Sequence, residues 1–172
     1  MTMPESRTRY ATLAEIDLIQ NIERRAESVF SLTDLPMQIR HRLSSESLVR
    51  GILNDNLWVS VGNDEVPVGF ALTRIYGSDL HLEEVSVDPD SSRQGHGRAL
   101  VGTVIQAAVD RNFARVTLTT FSHLVWNRPF YESCGFDVIM NLEAEHELRS
   151  KLLEERQLGF TNRVAMARGS IA

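Results

Sequence analysis

A single cysteine, Cys134, rules out an internal disulfide framework, and the five histidines are too scattered to build a metal site around it. No metal is therefore expected. Long apolar runs are missing too, and residues 1–8 are polar, so neither a membrane span nor a signal segment is expected and the chain should stay in the cytoplasm. An excess of positive charge is also absent. The formal net charge of −5 tilts against nucleic acid and toward a neutral or cationic ligand. There is no internal repeat and no low-complexity tract. What remains is 172 residues, 42% of them hydrophobic, which suffices for one core and leaves no room for a second. The expectation is a single domain over 1–172, with an ordered core over roughly 7–168.

The chain is organised around His81 to Phe113. Val85 and Val87 are β-branched residues at period two, Pro89 stops the strand, and Ser91 to Gly97 is polar and glycine-rich. From Leu100 the apolar residues Leu100, Val101, Val104, Ile105, Ala108 and Val109 follow the 3.6-residue period of a helix with one buried face. Gly95 and Gly97 therefore lie at a helix N-terminus, where unpaired N–H groups and the helix dipole favour an anion such as a phosphate. Glycine-rich turns that bind nothing are equally common punctuation. Two phosphate loops are excluded by what is missing. A P-loop needs a Gly-Lys-Ser/Thr ending, which is not there. The dinucleotide fingerprint needs its third glycine where Leu100 stands, and no acid closes the next strand, Arg115 to Thr120.

Around this centre the pattern predicts a short strand over Arg9 to Leu13 and helices over Ala14 to Ser31 and Pro36 to Leu53. A hairpin follows, Leu57 to Val61 and Val66 to Ile75, turning at Gly62-Asn63-Asp64. After the central helix come a strand over Arg115 to Phe121, parallel to the central one, a short helix over Trp126 to Cys134 and a strand over Phe136 to Met140. A charged helix over Glu143 to Gln157, with Leu148, Leu152 and Leu153 facing inward, and a strand over Arg163 to Ala167 complete an α/β layered domain with a mixed sheet.

Two stretches carry a specific likeness. Val85-Ser86-Val87-Asp88-Pro89, followed by Gln94-Gly95-His96-Gly97-Arg98-Ala99-Leu100, resembles the acetyl-CoA-binding motif of the GNAT superfamily of N-acetyltransferases. That motif is Gln/Arg-x-x-Gly-x-Gly/Ala after a strand ending in Val-x-Pro, and Ser92 departs from it where Gln or Arg is usual. Downstream, Trp126 to Phe136 resembles the family's helix ending in Tyr-x-x-x-Gly-Phe. The resemblance implies a GNAT-type mixed, largely antiparallel central sheet with helices on both faces and a splay between His81–Val87 and Arg115–Phe121. It also implies acetyl-CoA as co-substrate. Its pyrophosphate would rest on backbone N–H groups of Arg93, Gln94, Gly95, His96, Gly97, Arg98 and Ala99, and its pantetheine arm would lie along Val85, Ser86 and Val87, near Asn127 and Phe130.

Acyl transfer from a thioester to an amine needs a deprotonated amine, a stabilised oxyanion, a protonated leaving thiolate and both reactants side by side. Tyr131 matches the family tyrosine that protonates the sulfur, and a tyrosine beside Phe130 reads equally as core packing. On a regular strand His81, Glu83, Val85 and Val87 share one face and Glu84 and Ser86 the other. Glu83 is the first expectation for the base and His81 the second, with Glu84 taking the role if a bulge re-aims the strand. Against these stand a solvated or paired carboxylate at Glu83 and a structural imidazole at His81. Cys134 has no histidine beside it in sequence and reads as a small hydrophobe. The expected activity is acetyl-CoA-dependent transfer to a primary amine, taken to be that of a small molecule, in a ternary complex. A protein or peptide acceptor and a non-catalytic acyl-CoA sensor are the alternatives. The expected partners are acetyl-CoA and the amine, without nucleic acid or membrane; dimers are common in the family, and no residue here decides that point.

Overall fold

The computed structural model describes residues 6–40 and 43–169. Its strands are β1 (Arg7–Tyr10), β2 (Leu57–Val61), β3 (Pro67–Tyr76), β4 (Asp79–Val87), β5 (Arg115–Phe121), β6 (Asp137–Val138) and β7 (Arg163–Gly169). They form one sheet in the order β1-β2-β3-β4-β5-β7-β6. The helices are α1 (Ile16–Glu27), α2 (Ser45–Leu53), α3 (His96–Asp110), α4 (Arg128–Ser133) and α5 (His146–Leu158). Only β4 and β5 run parallel, since a parallel pair needs a long crossover and α3 supplies it. The mixed, largely antiparallel sheet with helices on both faces is the expected fold class.

Two apolar clusters hold the layers. On one face Leu100, Val101, Val104 and Ala108 of α3 pack on Ala71, Leu80, Leu82, Val116 and Leu118. On the other, Ile19 and Ile22 of α1 and Leu48 of α2 pack on Leu57, Val59, Phe70 and Leu72. Fully burying each such side chain contributes roughly 1.5–3 kcal/mol, so α3 is fixed to the sheet more firmly than any loop contact could fix it.

Two irregularities of β4 matter most. Leu72 pairs with Glu84 but Thr73 pairs with Leu82, so Glu83 is an extra residue, a β-bulge. The alternation therefore changes phase. Leu80 and Leu82 before the bulge, and Val85 and Val87 after it, all belong to the α3 face. Glu84 and Ser86 sit opposite Leu72 and Phe70 on the α1 and α2 face. The face expected to join His81 and Glu83 to Val85 and Val87 does not exist, because the extra residue turns the second half of the strand over. In addition, β4 pairs with β5 only from Asp79↔Arg115 to Leu82↔Leu118, and beyond Leu82 the two strands part. This is the expected splay.

Other boundaries moved for local reasons. β1 starts two residues earlier than expected, and Leu13–Glu15 is a 3₁₀ turn. The helix expected over Pro36 to Leu53, part of which lies outside the described residues, is a 3₁₀ turn at Met37–Ile39 followed by α2. Ser44, whose hydroxyl accepts from the Ser47 N–H at 3.1 Å, caps the start of α2. In α5 the inward row is Leu148, Lys151, Leu152 and Glu155. Leu153, expected inside, is 57% exposed, while Glu155 is buried. A polar inner row on a helix indicates polar partners below it.

Candidate active site

The loop into α3 is shaped by two left-handed residues, Arg93 at φ 59° and Gly95 at φ 89°. Glycine takes that conformation without penalty, and here it is the N-cap of α3. Among the described residues, no protein acceptor takes a hydrogen bond from the backbone N–H groups of Arg93, Gln94, Gly95, His96, Gly97 or Arg98. Ala99 closes the set, since its N–H bonds the Gly95 carbonyl at 2.9 Å and is not available to a ligand. Gly97 leaves the approach open: an added Cβ would meet only Phe130 Cζ at 3.6 Å and Val87 Cγ2 at 3.8 Å. Free amides on a firmly packed helix fit a diphosphate.

The side chains of this loop face elsewhere. His96 is buried, with Nδ1 2.8 Å from Ser60 Oγ, so only its N–H can serve a ligand. Arg98 donates to the Ser133 hydroxyl at 2.7 Å and its carbonyl at 3.2 Å, fastening α3 to α4. Gln94 Nε2 lies 3.4 Å from the Asp90 carbonyl. On the other side of the loop, Arg25 of α1 donates to Asp88 at 2.7 Å.

Where β4 and β5 part, a cavity of about 510 Å³ opens on the α1 and α2 face. Glu83 to Val87 form its floor, Phe30 and Phe121 one wall, and Lys151, Glu155 and Phe160 another. Asn127 and Tyr131 also line it, although Tyr131 packs with the α3-side cluster. The gap between the strands thus joins the two faces of the sheet. Phe130 stays on the α3 side, beside Gly97 and in edge contact with Tyr131 at 5.1 Å.

The three base candidates differ sharply in electrostatics. Burial pushes His81 down to about 4 against the pull of Glu83. Its ring stacks on Tyr76 at 4.5 Å, Nδ1 lies 3.0 Å from Thr117 Oγ1, and Nε2 is buried with no hydrogen-bond partner among the described residues. It is a neutral, enclosed imidazole. For Glu83, burial alone would raise the pKa, but Lys151 Nζ at 2.7 Å, helped by Arg74, holds the carboxyl below its usual value. Glu84 goes the other way. Burial, then the negative charges of Glu23 and Glu27, push it up to about 8, against the Ser86 hydroxyl that donates to it at 2.9 Å. A carboxylate poised there can take a proton near neutral pH.

Tyr131 is pushed up to about 12, chiefly by burial. It stays protonated at any working pH. Asn127 precedes α4, and its carbonyl accepts from the Tyr131 N–H at 3.2 Å, so it positions the tyrosine's turn. Cys134 is buried, and its carbonyl accepts from Arg168. Among the described residues, no group of His, Cys, Asp or Glu converges as a metal site would require.

Three site residues escaped the sequence reading. Lys151 is the only lysine in the chain, a signal that was available. Glu155 accepts from Thr119 Oγ1 at 2.6 Å and from Arg163 Nε at 3.1 Å, and Arg163 in turn covers the rings of Phe121 and Phe160 at 4.6 and 5.1 Å. Nothing in the spacing of Thr119, Glu155 and Arg163 announces that network.

A parallel strand pair that parts beside free helix-N-terminal amides is the frame of a coenzyme-A-dependent acyltransferase. The chain belongs to the acetyltransferase (GNAT) family, whose model matches residues 18–136. It is an N-acetyltransferase, and acetyl-CoA is the co-substrate. The peptidyl-lysine N-acetyltransferase YjaB of Escherichia coli K12 is 30% identical over 110 residues, 63% of this chain and 69% of that protein. The ribosomal protein bS18-alanine N-acetyltransferase of the same organism is 35% identical over 68 residues, 40% of this chain and 46% of its own length. Among solved structures, the PaiA N-acetyltransferase of Thermoplasma acidophilum in complex with coenzyme A superposes with a TM-score of 0.73 at 14% identity. That match covers 96% of this chain and 99% of the other, and it shows the fold.

Proposed function

We propose that the chain acetylates a primary amine of a small molecule, with Glu84 as the base and Tyr131 as the donor to the sulfur. The carrying observation is the Glu84 carboxyl, pushed up to about 8 within the cavity that Tyr131 also lines. In this reading the amine enters from the α1 and α2 face and gives a proton to Glu84. Its nitrogen bonds the thioester carbonyl carbon, and the C–S bond breaks as the tetrahedral intermediate collapses. The oxyanion is met by backbone N–H of the unpaired half of β4. Outright proton transfer from a tyrosine at about 12 to a thiolate whose acid lies near 8.5 is uphill by roughly 5 kcal/mol. Tyr131 therefore acts first as a hydrogen bond that strengthens as charge builds on sulfur.

Two contacts support a small acceptor over a peptide. The loop after α1 meets the end of β5 through Phe30 and Phe121, 5.6 Å apart, and His123 Nε2 lies 2.7 Å from Asp34 Oδ1 just beyond. A peptide groove would need that side open. Five carboxylates against three cations line the cavity, which suits a cationic amine, and the aromatic walls suit an apolar body. Release of coenzyme A, followed with a thiol reagent across a panel of alkylamines, arylalkylamines and lysine peptides, tests the proposal. Turnover confined to small amines is expected; turnover confined to peptides rejects it.

A further inference from the structure

We propose that a second hollow, between α2, β3 and the C-terminal end of α3, binds a small oxyanion through three arginines. Its volume is about 360 Å³. Arg50 comes from α2, Arg74 from β3 and Arg111 from the C-cap of α3, with Ser47, Asn54 and Asn56 between them, and among the described residues no acidic one lines it. In a chain with 23 acidic against 18 basic residues, that local charge is opposite to the average.

The three guanidinium groups are neither spent nor randomly placed. Arg111 is clamped by the Asn56 side-chain oxygen at 2.8 Å and the Asp55 carbonyl at 3.3 Å, both taken by Nη1, and lies 5.2 Å over the Phe113 ring. Its other donors remain for a ligand. Arg50 pairs with Glu46 at 2.8 Å within its own helix, but both side chains are largely exposed, so the pair holds it weakly. Arg74 Nε is 3.8 Å from Glu83 Oε2, beyond hydrogen-bond reach, and its side chain is 52% exposed. The floor is closely packed: a Cβ on Gly51 would stand 2.7 Å from Leu72 Cδ1. Forked guanidinium groups on a closed floor, edged by amides and a hydroxyl, match a carboxylate or phosphate.

The hollow also borders the acceptor cavity, because Ser47 and Arg74 line both. An anion that draws Arg74 toward itself withdraws a cation from Glu83. The oxyanion is either a separate small molecule or the acidic end of the acceptor, and the chemistry of recognition is the same.

Calorimetric titration of inorganic phosphate and of succinate into the protein saturated with coenzyme A tests the site. Saturable binding in the millimolar range or tighter is expected, weakened at least about tenfold by Arg50→Gln with Arg74→Gln. Arg50→Gln alone, on an exposed helix face, gives a second variant whose folding is secure. An anion held at the α3 loop instead would bind both variants as it binds the wild type, and that result, like the absence of saturable binding, overturns the proposal. Acceptor kinetics separate the two sources. If the anion is the acceptor's own, the double variant raises KM only for amines that carry a carboxylate or phosphate. If it is separate, added phosphate shifts KM for all amines in the wild type and for none in the variant.

Discussion

Two neighbouring glutamates, one residue apart on one strand, are driven in opposite directions by what surrounds them. Glu83 is paired with Lys151 and held ionised, while Glu84 is pushed up to about 8 by burial and the nearby Glu23 and Glu27. Replacing Glu84 by Gln should lower kcat/KM by about 10²–10⁴-fold and remove an acid limb with an apparent pKa near 8 from the pH–rate profile. The same shift sets a stability signature. A raised carboxyl favours folding most below its unfolded value near 4.5, and that contribution fades as pH rises through 8. Chemical denaturation from pH 5 to pH 8.5 should therefore show the wild type losing stability against Glu84→Gln, by on the order of a few kcal/mol. Lys151 gives a separate test. Lys151→Met leaves Glu83 buried and uncompensated, which should cost about 3 kcal/mol in urea denaturation, and adding Glu83→Gln should restore most of it. Sequence made both glutamates and Tyr131 visible as candidates, but not the opposite electrostatics of the two glutamates. That depends on Lys151, sixty-eight positions away, and on a register change that period-two counting cannot detect.

At the scale of elements, the loop and first turn of α3 were the most legible part of the chain, because glycine spacing, a strand stop and a helical period converge there. The structure adds which groups are free. Gly97→Ala is a clean probe, since the added Cβ meets only ordinary contacts and alanine favours helix over glycine by up to about 1 kcal/mol. The melting temperature should hold or rise while acetyl-CoA affinity falls at least about tenfold, because the methyl group stands where the ligand's backbone approach must be close. Unchanged affinity in a calorimetric titration would remove the loop from the binding site. By contrast, α5 departs from its leucine pattern. Leucine at 153 looked like core, and only the position of β5 and β7 beneath the helix tells that its inner row must be Lys151 and Glu155.

For the whole molecule, the sheet opens at the seam between β4 and β5, with the amide-rich helix end on one side and the cavity of about 510 Å³ on the other. The seam was expected from family likeness rather than from any residue pattern, since separation of two strands leaves no trace in composition. Just beyond Phe30 and Phe121, which line the cavity, Asp34 and His123 pair at 2.7 Å. His123→Ala should release that strap, lowering KM for bulky or peptide amines by about tenfold relative to small ones while leaving acetyl-CoA affinity alone; competition assays with paired substrates would read the ratio. The surplus position in β4 doubles what one strand can show to one chamber. Excise Glu83, and Glu84 would follow Leu82 in a regular ladder against Leu72 and Thr73, with every downstream side chain keeping its face. What would vanish is the second of two adjacent carboxylates turned toward the same cavity, the one that holds Lys151.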